Sequence, residues 1–405
     1  MAKIDQINFK GKTALIRADL NVPLKDGSVR DDSRIMASLP SIQHVLKNGG
    51  AVVLMSHLGR PQKEKTEDGR IQVGKYSLKQ IVPALEKALG QEVKFAGDVG
   101  GELSKKMAGD LKNGEVLLIE NTRFEEGESS GSEDLANRLA QLGDIFINDA
   151  FGTAHRAHAS NTQVARYFPR AKKAFGFLME KELTEAEKII HSPEKPFTVV
   201  LGGAKVSDKI LLIEKLIERA DHLLIGGGMA YTFILANGGR IGKSIAEPDK
   251  IPYVKTILKK ARDKGTEVHL PLDTLTADKF SEEAEARLFK STEIPDDQMG
   301  LDIGPKTIQS FSEIIRQSRT LFWNGPMGVF EMPAFKNGTL EIARSISAAT
   351  TVGAYSLIGG GDSVAAVNKF GLGKNMSYLS TGGGAMLTLL EGSPLPAVEA
   401  MEEEV

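Results

Sequence analysis

Short apolar runs alternate with stretches of helical periodicity along almost the whole chain. In the first half, four runs are short and continuous enough for buried strands: Thr13–Ala18, Ala51–Met55, Val116–Glu120 and Asp144–Asn148. Between them apolar residues recur at helical spacing, as in residues 36–46. Strands that alternate with helices form βαβ units with right-handed crossovers, so the first half predicts a parallel sheet.

The second half repeats this alternation. Its predicted strands are Phe197–Leu201, His222–Ile225, Glu267–Leu270, Thr320–Trp323 and Val352–Leu357. Its predicted helices lie near Lys209–Arg219, Tyr253–Lys264, Ile308–Gln317 and Leu340–Ala348. We therefore predict the α/β class, with two doubly wound (Rossmann-like) parallel-sheet domains and helices on both faces of each sheet.

A polar segment separates the two halves. Residues Lys181–Lys188 are charged with few large apolar side chains, and Pro193 and Pro196 end this segment before the next strand. The pattern indicates a connecting helix and hinge, although a surface helix within one domain would look the same. At 405 residues the chain exceeds what one core normally fills. We predict an N-terminal domain over residues 1–175 and a C-terminal domain over residues 176–390.

Composition and charge narrow the functional classes. The 51 Lys and Arg residues nearly balance 53 Asp and Glu, so no overall charge favours nucleic acid or an anionic membrane as a partner. The absence of cysteine excludes disulfides, thiolate-bound zinc and a cysteine nucleophile. We find no signal-peptide pattern and no apolar run of bilayer length. We expect a cytoplasmic protein.

Glycine is in clear excess, with 42 residues in the chain against an average of ~7%. Four clusters in the second half follow apolar runs and precede helix-compatible sequence: Gly202–Lys205, Gly226–Met229, Gly359–Ser363 and Gly382–Ala385. Such clusters turn backbone N–H groups toward a phosphate, and the following helix adds its positive N-terminus. One cluster alone would indicate only a tight turn, but four in one domain predict nucleotide binding.

None of these clusters is a standard fingerprint. They contain no Gly-x-Gly-x-x-Gly, which weakens the case for a dinucleotide-dependent dehydrogenase. Residues 238–244 resemble a P-loop but are one residue short, with Asn237 in place of the first glycine. They also follow no predicted strand, so we interpret them as a surface turn.

Charged residues within the clusters refine the chemistry. Asp362 follows three glycines, where its carboxylate can reach a phosphate-bound Mg²⁺ or cap a helix. Lys205 and Lys209 are four residues apart at a predicted helix start. Cations there oppose the helix dipole, which favours a polyphosphate between them over the alternative of solvated surface lysines.

Cationic and hydrogen-bonding residues, rather than glycines, follow the strands of the first half. They include Arg17, Asp19, Asn21, His57, Arg60, Arg123 and Arg156, with Arg34 at the head of the first helix. Guanidinium groups bind phosphate and carboxylate bidentately, so arginines at one sheet edge suit a small substrate that carries both groups. The spacing of His155 and His158 could suit a metal. With no third ligand nearby, we expect these histidines to frame the anion site instead.

Nine segments together resemble the phosphoglycerate kinase family, and the resemblance extends over essentially the whole chain. They are Arg17–Pro23, Ser56–Pro61, Glu120–Phe124, Phe151–Ser160, Leu201–Lys209, Gly226–Phe233, Trp323–Glu331, Gly359–Ser363 and Ser380–Ala385. The resemblance implies reversible phosphoryl transfer in glycolysis, between ATP and the carboxylate of 3-phosphoglycerate, giving ADP and 1,3-bisphosphoglycerate. It also implies Mg²⁺ bound with the nucleotide, and a C-terminal segment, residues 391–405, that returns to the N-terminal domain.

The resemblance also assigns residues by motif. For 3-phosphoglycerate it implies Asp19, Asn21, Arg34, His57, Leu58, Gly59, Arg60, Arg123 and Arg156. For ATP it implies Gly203, Ala204, Lys205, Lys209, Gly228, Asn324, Glu331, Gly360, Gly361, Asp362 and Ser363, with Glu331 on the ribose and Asp362 on Mg²⁺. The expected catalytic groups are Arg34, Lys205, Lys209 and the backbone N–H groups of Gly382, Gly383 and Gly384. Thr122 and Ser363 depart from the family's usual residues without loss of this chemistry.

Two other functions stay open from the sequence. An NAD-dependent dehydrogenase could hold its cofactor with the glycine clusters, and a catalytically inactive nucleotide-binding protein could share the fold. The intact set Arg34, Lys205, Lys209 and Asp362 favours an enzyme. Since an acceptor carboxylate is already ionised, the reaction needs no general base, and since each substrate would bind a different domain, the domains must close about a hinge near residues 175–195. We expect a monomer.

Overall fold

The computed structural model describes residues 3–404, which form two compact units. The first unit contains the described residues up to Thr184 and those from Pro394 onward, and the second contains Glu185–Ser393. The helix Phe177–Ile190 contains the boundary between them, so the connecting helix is longer than the predicted segment Lys181–Lys188. Within residues 3–404, no helix combines the length and the apolar character that crossing a membrane requires.

One parallel sheet forms the centre of the first unit. The strands of this unit are β1 (Thr13–Ala18), β2 (Leu24–Lys25), β3 (Ser28–Val29), β4 (Ala51–Met55), β5 (Val93–Ala96), β6 (Val116–Ile119), β7 (Ile145–Asp149) and β8 (Lys173–Phe175). Six of them make the sheet in the order β5-β6-β4-β1-β7-β8, and β2 and β3 form a separate antiparallel pair. Strands β4, β6 and β7 are buried throughout, which explains their largely apolar sequences.

Helices connect the strands of this unit. They are α1 (Ser33–Lys47), α2 (Val73–Tyr76), α3 (Val82–Leu89), α4 (Glu102–Gly109), α5 (Gly127–Ser130), α6 (Glu133–Ala140) and α7 (Phe177–Ile190). Local sequence sets their ends. Ser132 caps α6 by accepting a hydrogen bond from the Leu135 N–H at 3.3 Å, and Gly90 ends α3 in the left-handed conformation at φ 71°.

The second unit contains a parallel sheet of the same size and a small antiparallel sheet. Its strands are β9 (Phe197–Leu201), β10 (His222–Ile225), β11 (Arg240–Ile241), β12 (Glu267–His269), β13 (Asp273–Ala277), β14 (Arg287–Lys290), β15 (Glu293–Ile294), β16 (Met299–Ile303), β17 (Thr320–Asn324), β18 (Tyr355–Gly359) and β19 (Tyr378–Leu379). The parallel sheet has the order β12-β10-β9-β17-β18-β19, the antiparallel sheet has the order β14-β13-β16, and β11 pairs with β15.

The remaining helices are α8 (Ile210–Leu216), α9 (Met229–Ala236), α10 (Ile251–Lys264), α11 (Pro305–Gln317), α12 (Asn337–Thr351), α13 (Gly361–Lys369), α14 (Gly384–Leu390) and α15 (Pro396–Glu402). Helices α11 and α12 present their apolar residues to β17 and β18, as Phe311, Ile315 and Ile342 share one core cluster with the fully buried Trp323. This packing gives the second unit its own hydrophobic core.

The predicted fold class is confirmed, and four predicted strands, namely β1, β4, β9 and β10, have the predicted bounds. The prediction of a strand at Val352–Leu357 is wrong at its start. Val352 is the C-cap of α12, Gly353 turns the chain at φ 108°, and β18 begins at Tyr355. The apolar pattern continued through the end of the helix and could not separate the two elements.

Helix α15 packs within the first unit. The buried Lys173 Nζ of β8 donates hydrogen bonds to the Ala400 carbonyl at 2.9 Å and to the Ala165 carbonyl at 3.3 Å. The Ala397 N–H donates to the Ala154 carbonyl at 3.2 Å, and Met401 is fully buried. The segment thus contributes apolar burial and hydrogen bonds to the first unit.

Substitution of Met401 tests this contribution. We expect Met401→Ala to lower the free energy of unfolding by about 2–5 kcal/mol, because it removes buried methylene groups and leaves a cavity. Met36→Ala is the matched control, since Met36 is 50% exposed on α1 of the same unit, and its effect should stay within about 0.5 kcal/mol. Urea denaturation, together with hydrogen exchange at β8, measures the effect of each substitution on stability. Equal effects of the two substitutions would show that α15 does not support the unit.

Candidate active site

Four neighbouring strands of the first sheet end at the same edge, and the segments that follow them contain most of the residues predicted to bind the acceptor. The order β6-β4-β1-β7 brings together the segments that follow these strands. These segments contain Arg123 after β6, His57 and Arg60 after β4, Asp19 and Asn21 after β1, and Arg156 after β7. The topology of the sheet therefore brings residues that are far apart in the sequence into one compact basic cluster.

A buried guanidinium group lies at the base of this cluster. Arg17 Nε donates to Ser160 Oγ at 2.8 Å, its Nη1 donates to the Ala18 carbonyl, and its Nη2 lies 3.1 Å from His57 Nδ1. Burial lowers the pKa of Arg17, and the negative charge of Glu128 opposes that shift. Glu128 is itself buried and accepts hydrogen bonds from the Ser160 hydroxyl at 2.6 Å and N–H at 3.0 Å.

The contact with Arg17 fixes the tautomer of His57. A guanidinium group has no acceptor, so His57 Nδ1 must accept, and the neutral ring then carries its proton on Nε2. Burial and the neighbouring cations Arg17, Arg123 and Arg34 hold the pKa of His57 well below its usual value. His57 is therefore a neutral hydrogen-bond donor at neutral pH.

Short hydrogen bonds connect the segments that bear the predicted acceptor residues. Arg34 Nη1 donates to Asp19 Oδ2 at 2.5 Å, and Asn21 Oδ1 accepts from the Gly59 N–H at 2.8 Å. The Gly59 carbonyl accepts from Arg123 Nη1 at 2.6 Å. Gly59 has φ 61° and lies against the Tyr76 ring, so a side chain there would be both strained and obstructed.

Three arginines line an open pocket at this edge. Arg60, Arg123 and Arg156 form its walls together with Lys63 and Ser129. Burial and the charge of Arg156 lower the pKa of Arg123 to about 10, so Arg123 stays protonated at neutral pH. The pocket concentrates positive charge that a bound anion would neutralise.

The two histidines after β7 are not placed for a metal with a third ligand. Among the described residues, the only cluster with the geometry of a metal site lies elsewhere, at His222, Glu267 and His269. Burial and the arginines lower the pKa of His158 to about 4, so it too is neutral at neutral pH. Arg156 Nε donates to His155 Nε2 at 3.2 Å, which orients the guanidinium group.

Three of the four glycine clusters of the second unit line a second pocket, here called the phosphate pocket. Strands β9, β17, β18 and β19 are neighbours in the sheet, and the segments at their carboxyl ends form the pocket. The pocket is lined by Gly203, Ala204, Lys205, Asp208, Lys209, Asn324, Gly325, Pro326, Gly360, Gly361, Asp362, Ser363, Gly383, Gly384 and Leu387. Most of the predicted nucleotide residues are thus brought together.

Lys209 is held in this pocket by Asn324. Its Nζ donates to Asn324 Oδ1, while Asn324 Nδ2 donates to the Gly359 carbonyl at 2.8 Å. Gly360, at φ 91°, lies against Asn324 where a side chain would not fit. Burial lowers the pKa of Lys209 to about 8, against the opposing charges of Asp208, Asp362 and Glu391.

An apolar cleft adjoins the phosphate pocket. Its lining contains the predicted residues Gly228 and Glu331, and also Tyr231, Lys243, Ile245, Phe280, Leu301, Met327 and Val329. The cleft and the phosphate pocket share Gly203, Ala204, Pro326 and Asp362. An apolar slot continuous with a glycine-lined anion pocket suits a nucleotide base with its phosphates.

Sequence reasoning missed most of the cleft. Tyr231 lies on α9, Phe280 follows β13, and Leu301 lies on β16, and no spacing pattern connects them. Lys243 falls in the stretch interpreted as a surface turn, yet it lines the cleft.

Two predicted residues have a different local role. The Gly382 N–H donates to Ser380 Oγ at 3.1 Å, and Gly382 is not among the residues that line the phosphate pocket, whereas Gly383 and Gly384 are. The Ser363 hydroxyl is buried and accepts from the Gly325 N–H at 2.6 Å. Ser363 therefore fixes the loop after β17 as well as lining the pocket.

The pKa of Lys209 predicts how anion binding responds to pH. A lysine with a pKa near 8 carries its charge below that pH and loses it above. We expect the affinity for ADP to fall about tenfold between pH 7 and pH 9.5, because one charge-assisted contact is lost while the nucleotide phosphates lose no negative charge. Calorimetric titration measures this. Lys209→Arg should keep its affinity to higher pH, and a flat profile in the parent protein would contradict the assignment.

Comparisons with known proteins agree over the full length of the chain. The family model for phosphoglycerate kinase matches residues 4–393. The phosphoglycerate kinase of Thermosipho africanus is 47% identical over 399 residues, covering 98% of this chain and 97% of that protein. The one from Chloroflexus aurantiacus is 48% identical over 403 residues, covering 99% and 98%.

Solved structures give the same result. The structure of phosphoglycerate kinase from Coxiella burnetii is 38% identical with a TM-score of 0.87, covering 99% of this chain and 98% of that one. The one from Pyrococcus horikoshii is 32% identical with a TM-score of 0.83. The family predicted from the nine sequence segments is thus confirmed, and the chain belongs to the phosphoglycerate kinase family.

Proposed function

We propose that the chain performs its family's phosphoryl transfer with the acceptor at the basic cluster of the first unit and the nucleotide at the phosphate pocket of the second. The observation that carries this assignment is the contrast between the two pockets. One is lined by arginines, and the other joins glycine-rich backbone to an apolar cleft. The first suits a small molecule bearing carboxylate and phosphate, and the second suits a purine nucleotide.

We propose that the groups of the protein that contact the bound acceptor are all hydrogen-bond donors. Arg60, Arg123 and Arg156 offer guanidinium forks to its phosphate, and the Nε2–H of His57 offers a neutral donor. Asp19, Asn21, Leu58 and Gly59 shape the site through their hydrogen bonds. The acceptor carboxylate is ionised at neutral pH, so it can attack without a general base.

The transfer itself is proposed to rely on charge neutralisation. A bond forms between an acceptor carboxylate oxygen and the γ-phosphorus of ATP, and the bond from that phosphorus to the bridging oxygen of ADP breaks. Arg34 and Lys209 would stabilise the oxygens of the moving group, Lys205 the nucleotide phosphates, and the N–H groups of Gly383 and Gly384 the developing charge. Since the two substrates would be held by different units, turnover requires the units to come together.

A nucleotide-bound Mg²⁺ fits the donor set of the phosphate pocket. Asp362 lines both the pocket and the apolar cleft, at the start of α13. Mg²⁺ takes one or two protein carboxylates and fills its remaining positions with phosphate oxygens and water. We propose that Asp362 holds the ion, which supplies neutralisation of the nucleotide phosphates, while Glu331 contacts the ribose.

Truncation of the two proposed catalytic cations tests the mechanism. Arg34→Ala and Lys209→Ala should each lower kcat for acyl-phosphate formation from ATP and 3-phosphoglycerate by about 10²–10³. Arg30→Ala is the control, because Arg30 is an exposed arginine of the same unit that pairs with Asp26 at 3.9 Å, and its kcat should be unchanged. Unaltered turnover in both test variants, or none in the parent protein, would refute the proposed roles.

Neutralising Asp362 tests the metal assignment. Asp362→Asn should raise the Mg²⁺ concentration for half-maximal rate at least about tenfold, while metal-free ADP should bind at least as tightly as before, since a negative charge near its phosphates is lost. Asp263→Asn is the control, because Asp263 is exposed at the end of α10 and pairs with Lys259 at 2.8 Å. An unchanged Mg²⁺ dependence in Asp362→Asn would exclude it as the ligand.

A further inference from the structure

Two imidazoles and a carboxylate lie together at the edge of the second sheet, apart from the nucleotide residues. His222 begins β10, and Glu267 and His269 lie on the edge strand β12. In the parallel register His222 is opposite Glu267, and Leu224 is opposite His269. Side chains two positions apart on a strand share a face, so the three side chains project from the same face of two adjacent strands.

The spacing of the three nearest donor atoms is that of ligands around one ion. His222 Nδ1 lies 3.3 Å from His269 Nε2, and each of these nitrogens lies 3.5 Å from Glu267 Oε2. Zinc binds imidazole nitrogen and carboxylate oxygen at about 2.0–2.2 Å, which separates two ligands of a tetrahedral ion by about 3.3–3.6 Å. The three atoms therefore form one face of a tetrahedron whose centre is within bonding distance of all of them.

We propose that His222, Glu267 and His269 bind a divalent transition-metal ion, with Zn²⁺ as the ion whose ligand preferences fit and with water in the fourth position. Two nitrogens and one oxygen suit Zn²⁺, whereas Mg²⁺ prefers an all-oxygen octahedral shell. The site is thus separate in chemistry from the proposed Mg²⁺ site at Asp362.

The cluster is both held in place and accessible. The imidazole side chains are 26% and 25% exposed, so packing restricts them, while Glu267 at 68% leaves the site open to solvent. It lies at the amino end of β10, and the glycine cluster Gly226–Met229 follows the carboxyl end, about 13 Å along the strand at 3.3 Å per residue. An ion here would tie the edge strand β12 to β10 and stabilise that edge by mass action.

Metal titration of the complete, chelator-stripped protein tests the proposal. We expect one Zn²⁺ per chain, the intense visible absorption of four-coordinate Co²⁺ when cobalt replaces it, and a zinc-dependent rise in Tm. His269→Gln and Glu267→Gln should weaken Zn²⁺ binding at least about tenfold, since removal of even an indirect partner commonly has that effect. His191→Asn is the control, because His191 is an exposed histidine outside the cluster, and it should bind Zn²⁺ as the parent does.

The outcomes separate this site from others. Retention of the cobalt absorption in Asp362→Asn would support a site away from the nucleotide, and its loss would overturn the proposal. The proposal would also be overturned if the double variant His222→Gln/His269→Gln bound Zn²⁺ as tightly as the parent protein does. Glu267→Gln guards against misfolding, because its side chain is mostly exposed and the change preserves its shape; its kinase activity should match that of the parent.

Discussion

The buried guanidinium group of Arg17 is the constraint around which the basic cluster of the first unit is arranged. An uncompensated cation at that depth would be costly, so its donors must be met by fixed acceptors. Ser160, the Ala18 carbonyl and His57 meet them, and Glu128 supplies the opposing charge. Because Ser160, His57 and Glu128 follow β7, β4 and β6, their contacts with one charge hold in place the loops that carry the remaining arginines.

The phosphate pocket of the second unit has fewer cationic side chains in its lining than the arginine pocket of the first. The pocket proposed to bind the phosphates is lined by glycines such as Gly203 and Gly360, whose positive φ angles and missing side chains would let a ligand approach the backbone closely. Only Lys205 and Lys209 add cations to its lining. Backbone donors leave room for the adjoining apolar cleft, which a ring of arginines would fill, and the difference matches a nucleotide on one unit and a small acid on the other.

The sequence predicted features that are local in the chain. Buried parallel strands are short continuous apolar runs, so β1 and β9 were placed correctly, and the motifs after them identified the family. What it missed is either too short to show a pattern or depends on residues far apart in the chain. The two-residue strand β19 is too short to show a period, and the Arg17–Ser160 contact joins residues 143 positions apart. The cleft likewise combines side chains from separate elements that no spacing connects, and the roles of individual site residues stay predictions.

Burial and neighbouring cations shift the pKa values of three groups in the basic cluster. Histidines beside several arginines could have titrated near neutrality, but burial and the arginines hold the pKa of His158 at about 4 and that of His57 well below its usual value. Arg123, with a pKa of about 10, stays charged. At neutral pH both histidines are therefore neutral and Arg123 is protonated. Lys209 in the phosphate pocket of the second unit differs from these groups, because burial lowers its pKa to about 8.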